Sequence, residues 1–373
     1  MLTPRATLTR RLISALDASP SRIPVLVGGC GSGRTTAVHQ LRDRAGRGPT
    51  LSIDVERTAT TPERFLRALS VASPVPVADA SSSGARAAFA ATLEFFLRAR
   101  TAGGEPVTFL LDEFLELRTF ESFPGLRRVL HDFIDCISVS GNRFVLTSRY
   151  LARTLRLLRD RSARFEVIHM PGFTVEDTLN VVGPSASVDG GDAEHIARSL
   201  QSLADGRPAY VRALADELAL MREHGGGDPV SALAALLVPD GRLSKLCGFC
   251  YELRLHRARG YGALKAILDI LGEEEGLTLT EISHRLRRTP GSTKDYLSWL
   301  EDVDLVVARQ KRYSFGDPLL RVWVRLHCRP VPPSEDDLVR EVHRYALPRL
   351  PQQEPALAMA SAGGRDSGII EID

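Results

Sequence analysis

Long apolar runs, paired cysteines and lysine are all scarce in this chain of 373 residues. No stretch approaches the ~18 consecutive apolar residues of a membrane-spanning helix, so the sequence predicts no membrane association. Five scattered cysteines cannot form a disulfide framework, which favours a reducing, cytoplasmic setting. The basic residues are almost all arginine, and a formal net charge of +2 implies no global attraction to nucleic acid.

One pair of cysteines, Cys247 and Cys250, has the CxxC spacing found in zinc sites. His256 lies near in sequence, but no second pair completes a ligand set. We interpret the pair as reduced thiols in a packed helix, with a metal site as the less favoured alternative.

The first half of the chain alternates short apolar runs with helical segments. The runs suit strands buried on both faces, and they cover 23–27, 51–55, 107–111, 144–146 and 165–169. Helical segments lie between them, notably at 62–71 and 86–100. This order predicts an α/β fold with a three-layer core and a parallel sheet.

A glycine-rich turn follows the first predicted strand. It has the spacing of a phosphate-binding loop with arginine in place of lysine: Gly28-Gly29-Cys30-Gly31-Ser32-Gly33-Arg34-Thr35. Glycines let backbone N–H groups converge on phosphate oxygens, and the next helix directs its positive end at them. The predicted ATP-binding residues are Gly28, Gly29, Gly31, Ser32, Gly33, Arg34, Thr35 and Thr36.

Two side chains of this loop have specific predicted tasks. Thr35 offers a hydroxyl to Mg²⁺, and Arg34 would reach the β- and γ-phosphates. A guanidinium is not a conservative replacement for an ammonium at a packed phosphate site. We therefore expect nucleotide binding to survive while hydrolysis slows. A glycine-rich turn without a nucleotide is the alternative.

Polar side chains end the third and fourth strands. Asp112 and Glu113 follow the third strand, where P-loop NTPases hold Mg²⁺ with one acid and can polarise the attacking water with a second. Asp112 is thus the predicted metal ligand and Glu113 the predicted catalytic base, although a solvated strand end has the same pattern. Thr147, Ser148 and Arg149 end the fourth strand and could contact the γ-phosphate or the attacking water.

These motifs together resemble the AAA+/STAND P-loop ATPases, particularly the archaeal-type ATPases with a C-terminal winged helix. Two later segments strengthen the resemblance, which covers roughly residues 5–330. Gly206-Arg207-Pro208 is similar to the GxP motif of the helical lid. A second segment is similar to the stretch that follows the winged helix in those ATPases: Tyr313-Ser314-Phe315-Gly316-Asp317-Pro318-Leu319-Leu320-Arg321-Val322-Trp323.

The resemblance implies roles for four further residues. Pro208 would lie near the adenine, and Arg149 would be a sensor of the γ-phosphate. Arg161 or Arg164 would stand where relatives carry a finger for a neighbouring subunit. Because arginines crowd this segment, a solvated helix face is the alternative for both.

The second half of the chain is mainly helical. Helices at 175–182, 193–204 and 208–224 predict a lid, and 261–315 has winged helix-turn-helix order with a wing tip at 309–312. The predicted domains are a P-loop core (1–172), a helical lid (173–240), a winged-helix domain with a leading helix (241–330) and a partly disordered tail (331–373). Within the tail, Ser334 is expected to cap a short helix.

The predicted winged helix does not by itself identify a binding partner. Eleven basic and ten acidic residues lie between Tyr261 and Pro330, whereas a DNA reader normally has a clearer basic face. Protein docking or self-inhibition is therefore favoured over DNA contact. The sequence as a whole predicts a slowly hydrolysing Mg-ATPase that switches a protein or DNA partner, with self-association expected. The alternative is a DNA-binding regulator with a structural nucleotide.

Overall fold

The computed structural model describes residues 4–44, 49–77, 84–161, 163–183, 190–256 and 260–351. Its N-terminal part alternates strands and helices. In chain order these are α1 (Pro4–Asp17), β1 (Ile23–Val27), α2 (Arg34–Arg44), β2 (Thr50–Asp54), α3 (Val55–Thr58), α4 (Pro62–Ala72), α5 (Ala85–Arg98), β3 (Thr108–Asp112), a 3₁₀ segment (Phe114–Ser122), α6 (Val129–Val139), β4 (Arg143–Ser148), α7 (Leu151–Leu158) and β5 (Phe165–His169).

The five strands form one parallel sheet in the order β2-β3-β4-β1-β5. Leu26 and Leu110 face a cluster built with α1 and α2, while Phe109 and Phe144 face a larger core on the other side. Both faces of the sheet are therefore covered, which explains why the strands are almost wholly apolar. The predicted three-layer α/β core is confirmed.

The strand order decides where polar side chains meet. β4 pairs with β3 on one side and with β1 on the other, so their carboxyl ends lie side by side. Chain connections reverse direction around β1, and ligands of open α/β sheets bind at such a switch point. The loops after β1, β3 and β4 accordingly share one edge of the sheet.

Four helices follow the core and form the lid. They are α8 (Val175–Val182), α9 (Gly190–Leu203), α10 (Pro208–Glu223) and α11 (Pro229–Leu237). α8 begins at a capping box in which Thr174 and Asp177 bond each other's backbone N–H groups. The sequence did not predict α11, a short apolar helix beyond three glycines.

The C-terminal module combines helices with a small antiparallel sheet of order β6-β8-β7, as in a winged helix. Its elements are α12 (Arg242–Leu255), α13 (Tyr261–Glu273), β6 (Leu277–Thr278), α14 (Leu279–Leu286), α15 (Pro290–Asp302), β7 (Val306–Arg309), β8 (Arg312–Phe315), α16 (Pro318–His327) and α17 (Glu335–Ala346). Gln310 and Lys311 form the wing turn, both with positive φ.

The segment after Pro333 is a packed helix. Ser334 caps α17 through a capping box with Asp337, which confirms the predicted cap. The Tyr345 hydroxyl donates to the Leu203 carbonyl of the lid at 2.8 Å, and Arg325 pairs with Glu341 at 2.7 Å. The rest of the predicted tail, 352–373, lies outside the described residues. Among the residues that are described, no helix has the length and apolar character to cross a membrane.

Candidate functional site

The phosphate loop connects β1 to α2. Gly33 adopts φ +82°, a conformation that strains any residue with a Cβ. A Cβ at Gly28 would lie 2.7 Å from the Ser32 hydroxyl and 3.0 Å from Met170 Cβ, so a larger residue would be crowded at this position. The Gly28 N–H donates to the Ser148 carbonyl at 3.3 Å, which joins the loop to the end of β4.

Arg34 turns its guanidinium back under the loop. Nη1 donates to the Gly28 carbonyl and, at 2.7 Å, to the Gly29 carbonyl, while Nη2 donates to Glu113 Oε1 at 2.6 Å. The side chain is only 9% exposed. One planar fork thus connects the loop to the end of β3, which the shorter reach of a single ammonium could not do.

Glu113 is held by two arginines. Its second oxygen, Oε2, accepts the Arg149 backbone N–H at 3.0 Å and lies 3.2 Å from Arg149 Nε. Arg149 also forms an ion pair with Glu56, on α3. The backbone of Glu113 is left-handed, with φ 57°, and its N–H donates to the Thr147 hydroxyl at 3.0 Å.

The two arginines control the basicity of Glu113. Burial by itself raises the pKa of a carboxyl group, but the charges of Arg34 and Arg149 outweigh it and hold the pKa of Glu113 below its ordinary value. Glu113 is consequently ionised, yet it is a poor proton acceptor as long as both guanidiniums contact it.

Oxygen atoms suited to Mg²⁺ lie next to the cluster of Glu113, Arg34 and Arg149. Thr35 Oγ1 donates to Asp112 Oδ2 at 2.7 Å, and the Thr147 hydroxyl donates to Asp112 Oδ1. Mg²⁺ is commonly held by one or two carboxylates together with substrate phosphates. The hydroxyl and carboxylate therefore fit the predicted magnesium site.

A cavity of about 400 Å³ opens over the loop between the core and the lid, within the size range of ligand sites. It is lined by Gly31, Ser32, Gly33, Arg34, Thr35, Thr36, Ala37, Gln40, Phe173, Pro208, Ala209 and Arg212. Of the predicted nucleotide-binding residues, Gly28 and Gly29 do not line it. The Ala209 N–H donates to the Gly31 carbonyl at 3.1 Å, which joins lid and loop.

Sequence analysis did not single out Gln40, Phe173 or Arg212. Arg212 lies one helical turn beyond Pro208 on α10, so the two share a helix face. That spacing was the available signal for Arg212. Phe173 precedes α8 and belongs to no recognisable sequence motif, so no signal in the sequence marked it.

Arg164 lies away from the cavity, just before β5 at the opposite edge of the sheet. Its guanidinium donates to three carbonyls, of Ser21 at 2.9 Å and of Ser138 and Ser140 at 2.8 Å. Arg161 pairs with Asp135. These contacts tie the segment before β5 to α6 and to the loop before β1, and the finger role of either arginine stays a prediction.

Cys247 and Cys250 lie buried on α12 as free thiols, as predicted. Throughout the ranges that the structure describes, no group of three or more His, Cys, Asp and Glu side chains is arranged to hold a metal ion. The metal alternative for the CxxC pair therefore gains no support.

Arg207 connects the loop, the lid and the C-terminal module. It forms an ion pair with Asp317 at 3.1 Å and donates to the carbonyls of Cys30 at 3.4 Å and Gly316 at 3.2 Å. Asp317 also accepts the Tyr210 hydroxyl at 2.8 Å. The back of the phosphate loop is thus bonded to Arg207 of the lid, which is in turn bonded to the C-terminal module.

We compared the chain with known protein families, curated proteins and solved structures. No protein-family model and no curated protein matches the chain. Among solved structures, a Walker-type ATPase of Pyrococcus abyssi superposes with TM-score 0.62 at 17% identity, covering 87% of this chain and 96% of its own. RuvB of Thermotoga maritima gives TM-score 0.42 at 14% identity, over 88% and 95% of the two chains.

A STAND protein of Pyrococcus horikoshii with a tetratricopeptide-repeat sensor gives TM-score 0.36 at 14% identity, over 93% of this chain and 45% of its own. The TM-scores of the RuvB and STAND superpositions are too low for either to support an argument about this chain. The superposition on the Pyrococcus abyssi ATPase covers most of both chains, and this chain has the parallel sheet of order β2-β3-β4-β1-β5. This chain therefore has the fold of the Walker-type P-loop ATPases.

Proposed function

We propose that the chain is a slowly hydrolysing, Mg²⁺-dependent ATPase of the AAA+/STAND type that acts as a nucleotide-dependent switch. One observation carries the proposal. The base candidate, Glu113, is bonded both to Arg34 of the phosphate loop and to Arg149 at the end of β4. The Thr35–Asp112 pair lies next to this cluster.

Distinct residues would hold each part of the nucleotide. Residues 31–36, which include the N-terminus of α2, line the cavity, and the backbone N–H groups of a helix N-terminus suit phosphate oxygens. Pro208 and Phe173 offer an apolar wall, and Arg212 adds a positive charge from the lid. Thr35 and Asp112 would hold Mg²⁺, which neutralises phosphate charge when bound.

Switching follows from competition for two guanidiniums. Arg34 and Arg149 would exchange the Glu113 carboxylate for the terminal phosphate of ATP, and Glu113 would regain basicity as its pKa returned toward the ordinary value. A charge-assisted hydrogen bond is worth about 1.5–3 kcal/mol, which changes a population about tenfold or more. ADP lacks the γ-phosphate that this exchange requires.

The contacts of both helical domains suit transmission of this change. α7 begins two residues after Arg149 and contacts the C-terminal module through Leu151 and Asp304. Arg207 bonds the Cys30 carbonyl from the lid side. A ligand shifts an equilibrium only through contacts that differ between states, and both paths start at the phosphate loop or at Arg149, which would contact the γ-phosphate. A protein partner or self-association would use the resulting movement.

Limited proteolysis tests the switch. ATP and ADP should give different cleavage rates in the connector at 225–241, where glycines flank α11. Arg149→Ala should remove the difference while ADP affinity stays nearly unchanged. As a binding control, Gly33→Val should abolish ATP binding in calorimetry because φ +82° excludes a β-branched residue. Identical digestion of the apo, ADP and ATP forms would refute the switch.

One observation favours the second candidate, a DNA-binding regulator with a structural nucleotide. The wing turn and the strand ends on either side of it carry Arg309, Lys311 and Arg312, all exposed. This candidate predicts duplex binding that weakens steeply with salt, together with undetectable hydrolysis. Lys311→Glu should then weaken the binding of duplexes of any sequence.

A further inference from the structure

A second cavity, of about 860 Å³, opens between the core and the C-terminal module. The 3₁₀ segment, α6 and α7 contribute its core side, and Trp299 and Asp302 of α15 contribute the opposite side. None of the described residues lines both this cavity and the one over the phosphate loop. Its volume lies within the range of sites that bind small organic molecules.

Arg153, on α7, lines this cavity with its guanidinium over two aromatic rings. Its Cζ lies 5.0 Å from the centre of the Tyr150 ring and 5.2 Å from the centre of the Trp299 ring, and both rings also line the cavity. Within the ranges that the structure describes, Arg153 forms no hydrogen bond and no ion pair. Aromatic faces attract a guanidinium without accepting its N–H groups in the ring plane, so its fork of donors is available to an anion.

The other charges of the wall do not neutralise Arg153. Burial lowers the pKa of Arg153 most, and the charge of Arg118 lowers it further. The carboxylates of Asp302 and Glu116 raise this pKa without outweighing those effects. Asp302 is instead engaged by Arg156, which donates to it at 2.9 Å. An anion next to Arg153 would therefore stabilise the charged form of its guanidinium.

The rest of the wall indicates what the anion carries with it. Three leucines lie in the wall with the two rings, so the cavity also offers an apolar surface: Leu115, Leu130 and Leu157. A guanidinium fork matches the two oxygens of a carboxylate or a phosphate. Three acidic side chains also line the cavity and repel a doubly charged phosphate more than a singly charged carboxylate: Glu116, Glu121 and Asp302. A carboxylate with an aromatic body satisfies both the charge and the apolar surface.

We propose that this cavity binds small arylalkyl carboxylates, with the carboxylate on Arg153 and the ring on the apolar wall. Such a ligand would contact α7 of the core and α15 of the C-terminal module at once. Bound there, it would hold these two elements together.

Two wall segments begin next to the predicted catalytic cluster. The 3₁₀ segment begins directly after Glu113, and α7 begins two residues after Arg149. A ligand that holds both segments against α15 should oppose the separation of Glu113 from Arg149. Slower ATP hydrolysis is the expected consequence, and this consequence rests on the proposed function, whereas binding in the cavity does not.

Calorimetry of the full chain with 3-phenylpropanoate and two matched compounds tests the site. 3-Phenylpropanamide keeps the ring and removes the charge, whereas 2-phenylethyl phosphate keeps the ring and increases the charge. We expect the carboxylate to bind about tenfold or more tightly than either compound, because the amide loses a charge-assisted hydrogen bond and the phosphate is repelled by the acidic wall.

Variants on α7 assign this affinity to one side chain. Arg153→Gln should weaken the binding of 3-phenylpropanoate about tenfold or more and leave that of the amide unchanged. Arg159→Gln is the matched control, because Arg159 is an exposed arginine at the end of the same helix. It should bind all three compounds like the wild type.

The two tryptophans of the chain locate the bound compound. Trp299 lines the cavity, whereas Trp323 lies on α16 and donates to the Ser244 hydroxyl at 3.0 Å. In Trp323→Phe, 3-phenylpropanoate should change the emission of Trp299. In Trp299→Phe, the emission of Trp323 should stay constant. The phenyl ring does not absorb at the long-wavelength edge of indole absorption, so excitation there reports the protein alone.

Wild-type protein that does not bind 3-phenylpropanoate, or that binds the amide equally well, would overturn the proposal. Tighter binding of the phosphate would overturn the choice of a carboxylate. The wild-type titrations decide both points, even where a variant fails to fold. Phosphate release then measures the consequence, with hydrolysis about fivefold or more slower at saturating 3-phenylpropanoate. An unchanged rate in the saturated protein would refute the coupling, and absence of hydrolysis with and without the compound would instead refute the proposed function.

Discussion

The Asp304 carboxylate accepts the Leu151 backbone N–H at 2.5 Å. It also accepts the N–H of Ala152 at 3.3 Å, so it caps the N-terminus of α7. Tyr150, the N-cap residue of that helix, provides no side-chain cap of its own. A residue of the C-terminal module therefore completes the core helix that directly follows Arg149.

Removing this cap should weaken the contact between the core and the C-terminal module. Asp304 has φ 53°, which glycine and asparagine both tolerate. Asp304→Gly removes the cap without adding strain and should lower the free energy of unfolding by about 0.5–2 kcal/mol. Asp304→Asn keeps an acceptor and should lose less. Urea denaturation measures both, and equal losses in the two variants would contradict a capping role.

Glu113→Gln should retain ATP binding and lose turnover, because the amide cannot accept a proton from water. The variant also leaves Arg34 and Arg149 buried without their shared carboxylate, which should destabilise the apo protein by roughly 3–5 kcal/mol. ATP should consequently raise the melting temperature of the variant more than that of the wild type. Glu121→Gln, at a surface pair, is the control. Undiminished turnover would remove Glu113 as the base.

The lowered pKa of Glu113 predicts a pH dependence of stability. The folded-state pKa lies below the ordinary value of 4.5, so the carboxylate stabilises the fold above that value and the stabilisation is lost as pH falls through the folded-state pKa. The difference in free energy of unfolding between the wild type and Glu113→Gln should therefore shrink as pH falls below about 4.5. A difference that stays constant down to acid unfolding would show that Glu113 is not the linked group.

Arg34→Lys should keep ATP binding and keep or raise the hydrolysis rate. A lysine ammonium lacks the fork that reaches the Gly29 carbonyl and Glu113 together, so it should leave Glu113 more basic. Steady-state phosphate release and calorimetry measure the two effects separately. Slower hydrolysis at unchanged affinity would indicate that the pocket has been shaped around the guanidinium.

Several features of this protein were determined by the sequence alone. Apolar runs located the five strands to within a residue or two, because a strand buried on both faces tolerates few polar side chains. Gly33 and Thr35 marked the phosphate loop, and Asp112 and Glu113 marked the end of β3. Such motifs act through local backbone geometry, and the carboxyl ends of parallel strands necessarily share one edge of a sheet.

Only the tertiary structure decided which charged groups meet. Arg34 and Glu113 are 79 positions apart, and Asp304 lies 153 positions beyond the helix end that it caps. A long side chain can take many rotamers of similar energy, so its direction depends on neighbours that arrive from distant parts of the chain. For that reason the sequence suggested that Arg34 faces phosphate, whereas the fold turns its guanidinium under the loop onto the carboxylate of the predicted base.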